Sequence, residues 1–105
     1  MYNVLGVKEV KEAEARAAGS GLSEDILIEN AAAALKEAVC SLTEPRDKIC
    51  VLAGGGNNGA DGMSLARMLF LAGRKVELVV TAKKFGGSAE VRLSACRALG
   101  VPEIA

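Results

Sequence analysis

The chain has 105 residues, half of them apolar, enough for one small core and too few for two domains. Thirteen basic and thirteen acidic residues leave no net charge, and only Tyr2, Phe70 and Phe85 are aromatic, so the composition supplies neither a general field for a polyanion nor a base-stacking platform, and nucleic-acid binding is not expected. With no histidine, and with Cys40, Cys50 and Cys96 far apart in sequence, zinc sites and histidine general-base chemistry are excluded.

Over 7–18, VKEVKEAEARAA puts Val7, Val10, Ala13, Glu14 and Ala17 on one side, which predicts a surface helix. Its charged face, Lys8, Glu9, Lys11 and Glu12, reads as solvated charge pairs. Gly19 and Gly21 stop it, and Ser23 caps a second helix over 24–42 with Glu24 and Asp25 in the first turn and Leu22 and Leu27 as its hydrophobic staple. Leu27, Ala31, Ala34, Leu35, Ala38 and Leu42 form its expected apolar stripe, which the alanines allow to lie close to a sheet. After the turn-like Glu44-Pro45-Arg46-Asp47, the run KICVLA over 48–53 lacks polar alternation and predicts a strand buried on both faces, as in parallel sheets.

A loop over 54–60 follows, then a nearly all-apolar helix over 61–72, relieved by Ser64 and Arg67 and ended by Gly73. KVELVV over 75–80 predicts a second strand, and Ser88 caps a helix over 89–99 that Gly100 and Pro102 stop. Lys83-Lys84, between them, reads as a solvated loop tip. No apolar stretch reaches membrane-spanning length and no leader opens the chain, so a cytoplasmic protein with reduced, buried thiols and no membrane partner is expected.

Strand, helix, strand, helix implies right-handed crossovers and an α/β fold, a Rossmann-like three-layer αβα arrangement around a parallel sheet. Residues 101–105 read as the approach to a third strand, so the expected fold is truncated after the second strand–helix unit. An unpaired edge and uncovered apolar surface would follow, and either a homo-oligomer or a missing C-terminal half is expected to cover them.

Gly54-Gly55-Gly56-Asn57-Asn58-Gly59 has the spacing G-x-G-x-x-G, directly after a strand and before a helix. Glycines permit unusual backbone angles and bring main-chain N–H groups close to an anion, with the positive helix end adding to the attraction; the plain alternative is a tight strand-to-helix turn. A P-loop would continue with Lys and Ser or Thr, but Ala60 and Asp61 stand there. A dinucleotide-binding oxidoreductase should close its second strand with an acidic residue, whereas Glu77 lies near that strand's start and Thr81 follows its end.

Ala53-Gly54-Gly55-Gly56-Asn57-Asn58-Gly59-Ala60-Asp61-Gly62, with Ala66-Arg67 in the next helix, is similar to the NNGGDG motif of the YjeF N-terminal family, the NAD(P)HX epimerases. Leu27-Ile28-Glu29-Asn30-Ala31-Ala32 resembles the family's LMERAG helix, and 9–14 its first helix, with Glu14 where an aspartate is usual. The resemblance runs over nearly the whole chain and implies the N-terminal half, 1–105, of one such domain. It implies an isomerase that interconverts the R and S forms of hydrated NADH or NADPH, so that a partner NAD(P)HX dehydratase can restore the cofactor. Carried over by position, Asn57, Asn58, Gly59, Ala60 and Asp61 would contact the hydrated dinucleotide, and Asn58 would also coordinate a potassium ion. Asp61 has a second reading, as the cap of the following helix. Ala60 replaces a family glycine, which would be costly at a positive backbone angle. The family's second half carries further aspartates and a second phosphate loop, so no catalytic base is named in this chain and the isolated chain is expected to be inactive. A non-catalytic ligand- or partner-binding module of the same fold is the alternative, and an oxidoreductase fragment using Glu77 the third reading.

Overall fold

The computed structural model describes residues 24–54 and 57–104; the side chains of Asn57 and Asn58, the helix expected over 7–18, and the Ser23 cap and Leu22 staple lie outside the described residues. Helix α1 (Glu24–Leu42) leads into strand β1 (Lys48–Ala53), followed by α2 (Asn57–Leu71), β2 (Lys75–Val80), α3 (Gly87–Leu99) and β3 (Glu103–Ile104). The fold is αβα with a parallel sheet in the order β1-β2-β3. Strands β1 and β2 pair from Lys48↔Lys75 to Ala53↔Val80. β3 is short, pairing at Leu78↔Glu103 and Val79↔Ile104, with the Leu78 N–H donating to the Pro102 carbonyl at 2.7 Å.

Two helix starts differ from expectation. α2 begins at Asn57, four residues before the expected start at 61, so most of the expected loop is its first turn. Asparagine and glycine are weak helix formers and read as loop in sequence; packing on the strand overrides that preference. α3 begins at Gly87 after Gly86, which offers no side-chain cap, so Ser88 is a helical residue and not the cap. The far ends follow backbone rules. Gly73, at φ +80°, and Gly100, at φ +85°, adopt the left-handed conformation after α2 and α3, and the Arg74 N–H closes α2 onto the Leu69 carbonyl at 3.0 Å.

The core forms where α2 lies on the sheet. Ile49, Val51 and Ala53 from β1 and Val76 and Leu78 from β2 meet Ala60, Met63, Ala66 and Leu69 of α2. A fully buried side chain of the size of Met63, Leu69 or Leu78 contributes about 2 kcal/mol. α1 and α3 flank α2 and pack against it, contributing Ile28, Ala32 and Val39, and Ala89, Leu93 and Cys96. The buried stripe of α1 is therefore rotated from the expected one: Ala34 and Leu42 are exposed and Ile28 and Val39 are inside. Apolar residues surround most of this helix, so sequence alone selects the face poorly; the observed rotation turns Glu29 toward α2 and α3.

Burial alternates along β1 instead of covering both faces. Among the described residues the three helices lie over the face bearing Ile49, Val51 and Ala53, while Leu52 on the opposite face is 53% exposed and Cys50, Glu77 and Val79 are half-buried. On that face Lys48 reaches Glu77 at 2.7 Å.

Candidate functional site

β1 ends at Ala53, and the chain returns to its carboxyl end as α2. What brings the helix in is missing side-chain volume. A Cβ added at Gly59 would lie 1.8 Å from the Gly54 carbonyl oxygen and 2.6 Å from its carbon, so the first turn of α2 rests directly on the strand end. One turn later, a Cβ at Gly62 would sit 3.4 Å from the Ala53 methyl and 3.5 Å from the Leu52 carbonyl. These contacts are the close helix-to-strand approach that the last glycine of a phosphate-binding loop provides.

Asn57, Asn58, Gly59 and Ala60 open α2, and the N–H groups of the first three have no acceptor within the helix and form the positive end of its dipole. The expected site residues thus share one turn at the carboxyl end of the parallel sheet, where open α/β sheets bind ligands. Ala60 is fully buried in the core, and no described non-glycine residue has a positive φ, so its extra methyl fills space without the strain expected of it. Asp61 is likewise fully buried. As the fifth residue of α2, it stands inside the helix, which removes its reading as the cap.

Thr81 completes this end of the sheet and was not singled out in the sequence. Its N–H donates to the Ala53 carbonyl at 2.9 Å, its hydroxyl donates to the same oxygen at 3.3 Å, and that hydroxyl lies 3.8 Å from where a Gly54 side chain would begin. The only sequence trace was its place straight after the valine run of β2. Glu77, needed by the oxidoreductase reading, pairs in register with Cys50 in mid-sheet and binds Lys48, well short of the strand's carboxyl end.

A second unanticipated group ties the helices together. The Ser64 hydroxyl, fully buried on α2, donates to Glu29 of α1 at 2.5 Å, and Arg67 binds the other oxygen of the same carboxylate. Arg92 of α3 reaches in with its Nε to Ser64 at 2.9 Å and to Glu29 at 3.2 Å, and with Nη1 to Asp25 and the Ser88 carbonyl, both at 3.3 Å. Burial on its own raises the Glu29 pKa, but the Ser64 hydroxyl and the two guanidinium groups outweigh it and hold the carboxyl below its ordinary range. Ser64 and Arg67 were visible in sequence as the polar breaks in an apolar helix, without a partner to explain them. The Cys96 thiol, buried between α3 and α2, donates to the Met63 carbonyl at 3.1 Å, and burial pushes its pKa up.

Among the described residues no three His, Cys, Asp or Glu side chains gather as a metal site, and no helix is long and apolar enough to cross a membrane. Residues 24–104 match the family described as YjeF-related protein N-terminus. The chain is 37% identical over 70 residues to the NAD(P)H-hydrate epimerase of Limosilactobacillus fermentum, an alignment covering 67% of this chain and 34% of that protein. It is 33% identical over 97 residues to the bifunctional NAD(P)H-hydrate repair enzyme Nnr of Coxiella burnetii, covering 90% of this chain and 20% of that one. The crystal structure of yeast ynu0 superposes with a TM-score of 0.72 at 25% identity, over 97% of this chain and 46% of that chain. The chain therefore spans about a third of the length of one of these curated relatives and a fifth of the other. With a family match that runs from α1 through the loop before α2 to β3, the chain belongs to the YjeF-related protein N-terminus family.

Proposed function

We propose that this chain supplies the dinucleotide-binding portion of an NAD(P)H-hydrate epimerase domain, the N-terminal half of a unit that interconverts the R and S forms of hydrated NADH or NADPH. The observation that carries this reading is the seating of Gly59 on the Gly54 carbonyl, which presents the first turn of α2 at the carboxyl end of β1 in a chain of this family. Phosphate oxygens are received by main-chain N–H groups of 57–59, with Gly59 having no side chain to offer and Ala60 packing its methyl beneath them. Asn57 and Asn58 orient the hydrated dinucleotide through their amides.

A potassium ion fits the donor chemistry here. Asn58 brings a neutral amide oxygen, and the fully buried Asp61, three residues on in the same helix, brings a carboxylate; both are hard donors suited to such a cation. Asn58 would hold the ion, which supplies positive charge to offset the dinucleotide phosphates. Proteins named as bifunctional repair enzymes in this family favour a functional link to an NAD(P)H-hydrate dehydratase.

NMR of the R and S NADPHX pools in potassium buffer tests the reading, with Asn58→Ala beside the unaltered chain. Exchange faster than the protein-free rate, lost in the variant, supports epimerisation. Binding of NADPHX without exchange is the outcome expected of this half alone and agrees equally with a ligand-binding module, and absence of both binding and exchange overturns the proposal.

A further inference from the structure

Where a parallel dinucleotide fold ends its second strand, the next residues meet the adenosine ribose; an acid there receives the 2′-hydroxyl, and a basic residue accommodates a 2′-phosphate. Here the acid of β2, Glu77, is engaged by Lys48 in mid-sheet, and the strand runs out into Thr81, Ala82, Lys83 and Lys84. An open depression of about 500 Å³ begins at this point. Val80, Ala82, Lys83 and Phe85 line it, together with Arg97 and Glu103. Its size is within the range of small-ligand sites, roughly 300–1,000 Å³.

The two basic side chains of this depression are not equivalent. Arg97 is committed to Glu103 by a pair of hydrogen bonds of 3.0 and 2.9 Å, which leaves little of either charge for a ligand. Lys83 is exposed and forms no ion pair among the described residues. Phe85 is half-buried against the core and gives the depression a fixed apolar wall, and Val80 is held in the same way. An apolar wall beside one uncommitted cation suits a flat base joined to an anionic sugar. Lys84, its chain neighbour, does not line the depression.

We propose that this depression takes the adenosine end of the dinucleotide and that Lys83 is a specificity-determining residue which pairs with a 2′-phosphate, so that the phosphorylated hydrate is preferred over the unphosphorylated one. The inference rests on the dinucleotide reading given above, and half-ligands separate the two. Isothermal titration of the chain with adenosine 2′,5′-bisphosphate and with adenosine 5′-monophosphate is the test. The bisphosphate is expected to bind about tenfold more tightly, the worth of one charge-assisted contact. Lys83→Ala should bring the two affinities together, whereas Lys84→Ala should leave the preference in place. Equal affinities in the unaltered chain, or a preference that survives Lys83→Ala, would overturn the role of Lys83 while leaving dinucleotide binding intact. Failure of both half-ligands to bind removes the dinucleotide reading and this inference with it.

Discussion

Helix α2 is held at two places by opposite means. At its first turn it is held by the absence of side chains, Gly59 lying on the Gly54 backbone with no room for one more carbon. One turn into the helix and beyond, it is held by charged side chains, with Ser64 and Arg67 on Glu29 of α1 and Arg92 of α3 closing the group. The first contact is all-or-none because backbone cannot yield to a methyl. The second is graded, since Glu29 and Arg67 are partly open to water and Glu29, Ser64 and Arg92 each have more than one partner; the Glu29 side chain is 38% exposed. A first helical turn fixed by the first contact and a helical layer aligned by the second should therefore fail in different ways.

Gly59→Ala should show the largest effect. A Cβ 1.8 Å from a carbonyl oxygen forces α2 off the strand, at a cost of about 3 kcal/mol or more, read as a lowered urea midpoint together with lost dinucleotide binding. A variant of near-normal stability that still binds ligand would show that the first turn is not fixed in this way.

Glu29→Gln comes next. It leaves the guanidinium groups of Arg67 and Arg92 with a neutral partner, and the expected loss is about 1 kcal/mol after allowance for the partial exposure of the pair. The Glu29 carboxyl titrates in the folded state below its ordinary value of 4.5, so its contribution is complete above that value and is lost as the pH falls through the lower folded value. Unfolding free energy followed downward from pH 6 should fall more steeply in the unaltered chain than in Glu29→Gln. Identical slopes would place the charge network outside the stability of the layer.

Ala60→Gly, which restores the residue usual in the family, is expected to cost about as much stability as Glu29→Gln and to leave binding unchanged. It removes a buried methyl and loosens a helical position, for about 1 kcal/mol, and leaves the main-chain N–H groups in place. Thermal unfolding should therefore shift slightly downward, while affinity for adenosine 5′-monophosphate stays unchanged. An increase in stability would mean that the methyl is strained in its pocket.

The comparison also explains which features could be read in the amino acids. The strand–helix alternation was legible, because the apolar runs KICVLA and KVELVV stand between clear turn residues and each helix has its own apolar spacing. The glycine and asparagine run was legible as a tight strand-to-helix turn but not as helix, since its helical state depends on a backbone contact with Gly54 and not on propensity. The charge network was hidden for another reason. Its members stand 35, 38 and 63 positions from Glu29, and nothing local in a sequence marks such a meeting. Leu52 and Val79 read as interior because they are apolar, although the described helices cover only the opposite face.

Cys96 gives the helical layer a clock. Its thiol is shielded by α2 and, with its pKa raised by burial, carries less thiolate than an open cysteine at neutral pH, so alkylation has to wait for α3 to swing away from Met63. Cys50, half-buried on the sheet face that the described helices leave open, needs no such event. The ratio of the two modification rates under native conditions therefore reports how often α3 undocks while the sheet stays paired, a local opening that a global melting curve averages away.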